Sequence, residues 1–206
     1  MTERVFLLSP ASCSGVRARM LLRREARFPL AQQVRRPEGA PLGEVFSFLS
    51  GLYFRGKHAY AQAFARPPVG FPGVFVITAG EGLRPAHDAV TIDRIRGFSR
   101  TDIGGTPPRY RRPLLRDALA LARDLAASDI VLLGSIATGK YVDILGEAFG
   151  DRLRFPRDFV GRGDMSRGGL LLRCVREGRE LEYVPVAGAV RHGERPPKLP
   201  KIPRRA

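Results

Sequence analysis

The chain has 206 residues, 44% of them hydrophobic and 27% charged, with two cysteines and no tryptophan. This size and composition suit one folded domain with a substantial core; they exclude a chain disordered throughout and a small disulfide-stapled scaffold. Basic residues outnumber acidic ones 35 to 20, for a formal charge of +15, a field that attracts polyanions and speeds their arrival.

Only four of the basic residues are lysines, Lys57, Lys140, Lys198 and Lys201. A GC-rich coding bias trades Lys for Arg but does not leave acids this scarce, so the charge reads as contact with nucleic acid. The planar guanidinium also suits phosphate, because its fork grips two oxygens at once.

Along the chain, Val5-Phe6-Leu7-Leu8 reads as a buried strand and is too short an apolar run for a signal peptide; no later run approaches membrane-spanning length. A cytoplasmic protein is expected. Residues 16–24 predict a helix with arginines on its wet face, 28–41 an irregular segment, and 44–49 and 56–64 two helices joined by Tyr53-Phe54-Arg55-Gly56-Lys57. Residues 74–78 are a second strand, 100–112 a basic loop, and 114–126 the clearest helix, with Pro113 tolerated in its first turn. Residues 129–133 are a third strand and 137–149 another helix. Residues 170–175 and 180–186 suggest a hairpin turning at Glu177-Gly178, with a helix at 170–176 as the alternative. Continuous apolar strands interleaved with helices predict a three-layer α/β fold with a mainly parallel sheet covered on both faces. Residues 1–190 form the expected single domain, and 191–206 a basic, Pro-rich, mobile tail.

Ligands of such sheets bind beyond the carboxyl ends of the strands, here Ser9-Pro10, the turn from Thr78 to Gly82, and Gly134-Ser135. The stretch from Gly134 to Lys140 has P-loop spacing and opens a helix, but Tyr141 stands where a P-loop needs a Mg²⁺-binding hydroxyl. Nucleotide hydrolysis is therefore a third reading. Ser135, Thr138 and Lys140 can still receive a backbone phosphate there. Residues 161–169 combine four glycines with Arg162, Asp164, Ser166 and Arg167, a pattern for gripping phosphate, with Asp164 structural or catalytic. Tyr53, Arg55 and Lys57 interleave aromatic and basic groups, suited to a stacked base and its phosphate or to the core. Cys13 and Cys174 read as small buried hydrophobes, and His58, His87 and His192 are scattered. Neither metal nor cofactor is expected.

Leu8-Ser9-Pro10-Ala11 after the first strand, Gly82-Leu83-Arg84-Pro85 after the second, Lys140-Tyr141, and Arg162-Gly163 with Met165-Ser166-Arg167 together resemble the YaaA-like superfamily of bacterial peroxide-stress and related proteins. The resemblance spans most of residues 5–175 in short matches. It implies DNA binding and a fold related to uracil-DNA-glycosylase-like enzymes, archaeosine synthase domains and anti-phage DNA glycosylases. Ser12 replaces the Lys that follows Ser-Pro-Ala in that pattern, and the segment from Ser9 to Gly15 lacks the water-activating Asp of uracil glycosylases. Classical uracil excision is thus not expected.

These readings converge on a DNA-binding protein, RNA being the alternative partner, with an N-glycosylase-like site for an everted, modified base. Asp164 and Glu81 are the candidate catalytic carboxylates. Ser9, Arg17, Tyr53, Arg55, Lys57, Ser135, Thr138, Lys140, Arg162, Ser166 and Arg167 are the candidate contacts. The rival reading is a non-catalytic DNA-binding stress protein.

Overall fold

In the computed structural model, which describes residues 2–199, the chain runs β1 (Arg4–Leu8), α1 (Val16–Leu22), α2 (Pro29–Gln33), β2 (Ala40–Pro41), α3 (Leu42–Ser50), α4 (Leu52–Phe64), β3 (Val74–Ile77), β4 (Leu83–Pro85), β5 (Ala89–Val90), α5 (Ile92–Ser99), α6 (Pro108–Asp124), β6 (Asp129–Leu133), α7 (Gly139–Phe149), β7 (Leu153–Pro156), α8 (Asp164–Glu177) and β8 (Tyr183–Pro185). Six strands form one sheet in the order β4-β3-β1-β6-β7-β8, in which β3, β1, β6 and β7 are parallel and the two edge strands antiparallel. β2 and β5 make a separate short ribbon. The central strands are continuous apolar runs because both their faces are covered: Val5 to Leu8 and Ile130 to Leu133 have no exposed surface.

α4 packs on β1 and β3 and carries α3 and α8 against it, whereas α6 packs on α7, with α6 reaching β4 and α7 reaching β7. The steps from β1 to β3 and from β6 to β7 run in opposite directions across the sheet. Right-handed crossovers then put their helices on opposite faces. Since β1 and β6 are neighbours, the order reverses between them, the place where such sheets form a ligand crevice beyond the carboxyl ends of their strands.

α4 crosses α8 at close range. Gly56 and Gly168 face each other there: a Cβ at Gly56 would lie 2.7 Å from the Gly168 carbonyl oxygen, and one at Gly168 would lie 2.8 Å from the Leu52 carbonyl oxygen. Two glycines let the main chains touch, and this brings Tyr53 and Lys57 of α4 beside Arg167 of α8.

Several sequence-based boundaries are corrected. Residues 170–175 are helical: Leu170, Leu171 and Cys174 recur at helical spacing on the buried face of α8, which stops at Gly178 in the left-handed region, φ 63°. The C-terminal antiparallel pair exists, but it joins β7 to β8 across α8. Residues 161–169 are a loop only as far as Gly163, and Tyr53-Phe54-Arg55 belongs to α4 rather than to a linker. The helix expected from residue 114 begins at Pro108, with Pro113 inside it, and the one expected from 137 begins at Gly139. The irregular segment 28–41 contains α2, and α5, β4 and β7 have no counterpart in the reading of the sequence. Residues 191–199 have no regular structure, yet they lie against α8, where Leu199 is 3.7 Å from where a Gly169 side chain would begin; the rest of the tail lies outside the described residues. Among the described residues no helix is long and apolar enough to cross a membrane.

Replacing Gly56 or Gly168 with Ala forces a methyl group into main-chain atoms. Overpacking of this kind costs about 1–3 kcal/mol and outweighs the gain of about 1 kcal/mol in helix propensity. Urea denaturation of Gly56→Ala should show a lowered midpoint with an unchanged slope.

Candidate functional site

The crevice between β1 and β6 gathers polar side chains from four elements. Ser9 follows β1; Tyr53 and Lys57 are one helical turn apart on α4; Tyr141 lies in the first turn of α7; Asp164 and Arg167 lie in the first turn of α8. All except Asp164 are buried, with Lys57 only 1% exposed.

An ammonium is rarely buried without a carboxylate partner. Lys57 Nζ instead donates to the main-chain oxygen and to Oγ of Ser9, both at 2.7 Å, and sits over the rings of Tyr53 and Phe54 at 4.5 and 4.7 Å. Burial disfavours its charged form and lowers its pKa to about 7; the Asp164 carboxylate opposes that shift and the Arg167 guanidinium adds to it. Near neutrality this amine can hold or release a proton. Arg167 is fixed by two bonds from Nε and Nη2 to the Phe159 carbonyl, at 3.2 and 3.0 Å, which leaves Nη1 directed to Asp164 at 3.5 Å.

The tyrosines complete the lining. The Tyr141 hydroxyl engages Ser9 and the Ser135 main chain; both favour its ionised form, against a burial that raises its pKa. Gly134 makes this possible: a Cβ there would stand 2.9 Å from Ser9 Cβ and 3.1 Å from the Tyr141 hydroxyl. The hydroxyls of Tyr53 and of Tyr110 on α6 are buried; that of Tyr110 finds no hydrogen-bond partner among the described residues, whereas that of Tyr53 has the Arg167 guanidinium beside it. Desolvation raises both pKa values, and both rings feel Tyr141. Orphaned buried hydroxyls are uncommon and costly. Here one such hydroxyl, that of Tyr110, lies close enough to Tyr141 to feel its charge.

The two expected carboxylates are not equivalent. Glu81 follows the Thr78 turn, on the far side of β1, and both its oxygens are bound by Arg94. Asp164 is 68% exposed, and its ion pair with Arg167 is long, at 3.5 Å. Its charge is felt by Tyr53, Lys57 and Tyr141 alike. It is the first residue of α8, where a negative charge complements the helix dipole.

The structure brings together Ser9, Tyr53, Lys57, Asp164 and Arg167, with Ser135 at the margin through its main chain. The other expected contacts lie apart from the crevice. Arg17 on α1 donates to the Phe48 carbonyl at 3.1 Å, Arg55 points to solvent from α4, and Arg162 donates to Ser166 Oγ at 3.3 Å. Thr138 is exposed in front of α7, and Lys140 is half-buried in its first turn. The Asp143 carboxylate folds over Gly139, where a P-loop would hold phosphate. Tyr141 and Tyr110 were missed as site residues, since Tyr141 entered only as a departure from the P-loop and as part of a short family match, and nothing local marks Tyr110.

A cavity flanks this cluster on the β3 side. This cleft of about 590 Å³ is lined by the loop from Pro10 to Ser14, by Phe46 and Phe98, and by residues 99–103, including Arg100 and Asp102. Asp102 is engaged locally, accepting from the Gly104 amide at 2.8 Å. Cys13 faces this space, but burial pushes its thiol up to about 12, which keeps it protonated and unreactive.

Lys57 also makes stability depend on pH. Its folded pKa lies below the unfolded value, so the folded form carries its full penalty below about pH 7. The penalty is relieved as pH rises toward the ordinary lysine range, because there the unfolded chain binds the extra proton. Relative to Lys57→Met, the wild type should gain up to about 1.4 kcal/mol per pH unit above neutrality. Urea denaturation at several pH values up to the unfolded lysine pKa measures that slope; parallel profiles would show that Lys57 titrates normally.

No family model, no curated protein and no solved structure matches this chain.

Proposed function

We propose that the protein binds DNA and breaks the N-glycosidic bond of an everted, modified nucleotide held in the crevice between β1 and β6. The observation that carries this reading is the position of Asp164, the carboxylate set against the buried Ser9, Tyr53, Lys57, Tyr141 and Arg167. Loss of a base builds positive charge on the sugar as the C1′–N bond breaks. A carboxylate beside C1′ stabilises that cation and orients the water that adds to C1′, and the base leaves carrying a proton. Arg167 and the Tyr53 and Tyr141 hydroxyls suit the phosphate and the base edges, and Lys57, able to change its protonation near neutrality, suits transfer of that proton through Ser9. The net charge of +15 and the resemblance to YaaA-like proteins support DNA as the partner.

The exposure of Asp164 favours a second reading, in which the same surface binds DNA without reaction. A carboxylate works best where water is excluded, and here only a bound nucleotide would exclude it.

The test is release of free base, or formation of alkali-labile breaks, from DNA carrying bulky modified pyrimidines. Asp164→Asn keeps the shape and removes the charge; it should lower single-turnover release by at least about a hundredfold and leave DNA affinity equal or slightly higher. Glu81→Gln should remain active. A wild type that binds these DNAs and releases nothing would favour the non-catalytic reading, and a fully active Asp164→Asn would remove Asp164 from the chemistry.

A further inference from the structure

Ion pairing divides this molecule's arginines into two populations. Those at the amino end of the sheet are paired: Arg4 with Asp129 and Glu180, Arg66 with Glu180, and Arg154 with Asp129. The segment of α1 and α2 is the opposite. It carries seven arginines between Arg17 and Arg36 against one carboxylate, Glu25, and among the described residues none of the seven forms an ion pair. Six of them are exposed, and Arg35 is half-buried.

Main-chain carbonyls hold several of these side chains in place. Arg17 donates to Phe48, Arg19 to Ser14 at 3.2 Å, Arg27 to Arg24 at 3.0 Å, and Arg35 to Arg23 at 2.6 Å. A carbonyl orients a guanidinium without cancelling its charge. This face is therefore both ordered and uncompensated, at a cost in self-repulsion that a fold gains nothing from.

From this we infer that the α1–α2 face is the docking surface for the phosphate backbone of a duplex. The inference rests on the DNA-binding reading above and adds where the duplex lies. The position fits that reading. Arg19 is tied to Ser14 on the lip of the cleft, and Arg17 lies against Gly51, the residue that caps the start of α4. A strand held here passes the mouth of the cleft and the helix that carries Tyr53 and Lys57. The chemistry of the face favours a duplex over a single strand, because proteins that hold single strands offer aromatic platforms to the bases. Here the exposed apolar side chains are Val16 and Met20, and Phe28 is stacked on Phe48 instead, with ring centroids 5.2 Å apart.

Arg23, Arg24 and Arg36 give a clean test, since all three are exposed and none of their side chains makes a hydrogen bond or ion pair among the described residues, so their loss should leave the fold intact. The triple variant R23Q/R24Q/R36Q is compared with R157Q/R176Q/R179Q, which removes the same charge elsewhere, using fluorescence anisotropy of a labelled duplex across a salt series. Each lost phosphate contact lowers the slope of log K against log salt by roughly 0.9. The first triple should therefore flatten the slope by roughly two to three and weaken binding at least tenfold near physiological salt, while the second should change the slope by less than one contact. Equal losses in both triples would mean that net charge alone acts, and would overturn the assignment. So would an unchanged R23Q/R24Q/R36Q, or a face that binds anionic vesicles or single strands but not the duplex. A wild type that binds no nucleic acid at all fails the DNA-binding reading itself, a result distinguishable from the others because it precedes any comparison of variants.

Discussion

The site depends on one buried contact, that of the Lys57 ammonium with Ser9. A lysine taken wholly out of water has lost its hydration, and two oxygens of one serine replace only part of it. Everything around that contact makes it possible. Gly56 and Gly168 let α4 approach α8, Gly134 leaves room for Tyr141 to reach Ser9 from the opposite face of the sheet, and the rings of Tyr53 and Phe54 supply their electron-rich faces to the charge. The two layers of helices are thus tied together through a single residue at the end of the first strand.

The same organisation separates the two ends of the sheet. At the amino end charges are matched, and Glu180 gathers Arg4, Arg66 and Tyr183 into one network. Beyond the carboxyl ends lie an orphaned hydroxyl, a lysine whose charge is labile near neutrality, a cleft, and on the adjoining α1–α2 face a run of arginines that form no ion pair among the described residues. Stability is invested at one end, and unsatisfied chemistry is left at the other. This is the arrangement expected where strand ends hold a ligand.

What could be read from the sequence follows from physical range. β1, β3 and β6 were legible because strands buried on both faces are continuous apolar runs, and the parallel α/β architecture follows from their alternation with helices. β4 was not, because at a sheet edge three residues carry little pattern. The start of α8 was read as loop because Gly168 and Gly169 depress helix propensity; it is the crossing with Gly56 that makes a glycine necessary, and that contact is invisible locally. Ser9, Tyr53, Lys57, Asp164 and Arg167 were each recognisable as residue types near strand ends or glycine-rich turns. That they meet was not, since Lys57 and Ser9 stand 48 residues apart and only the fold joins them. Glu81 looked equal to Asp164 until Arg94, thirteen residues on, was seen to occupy it.

The central claim is that a lysine held at the switch point of the sheet loses its charge near neutrality. The most direct measurement is an NMR titration of the lysine side-chain ¹³Cε signals, with Lys57 assigned by its absence in Lys57→Met. This account predicts a Lys57 midpoint at about 7, well separated from the other lysines, and an amine protected from solvent exchange. A midpoint in the ordinary lysine range, near 10.4, with rapid exchange would place Lys57 in water and contradict the site described here.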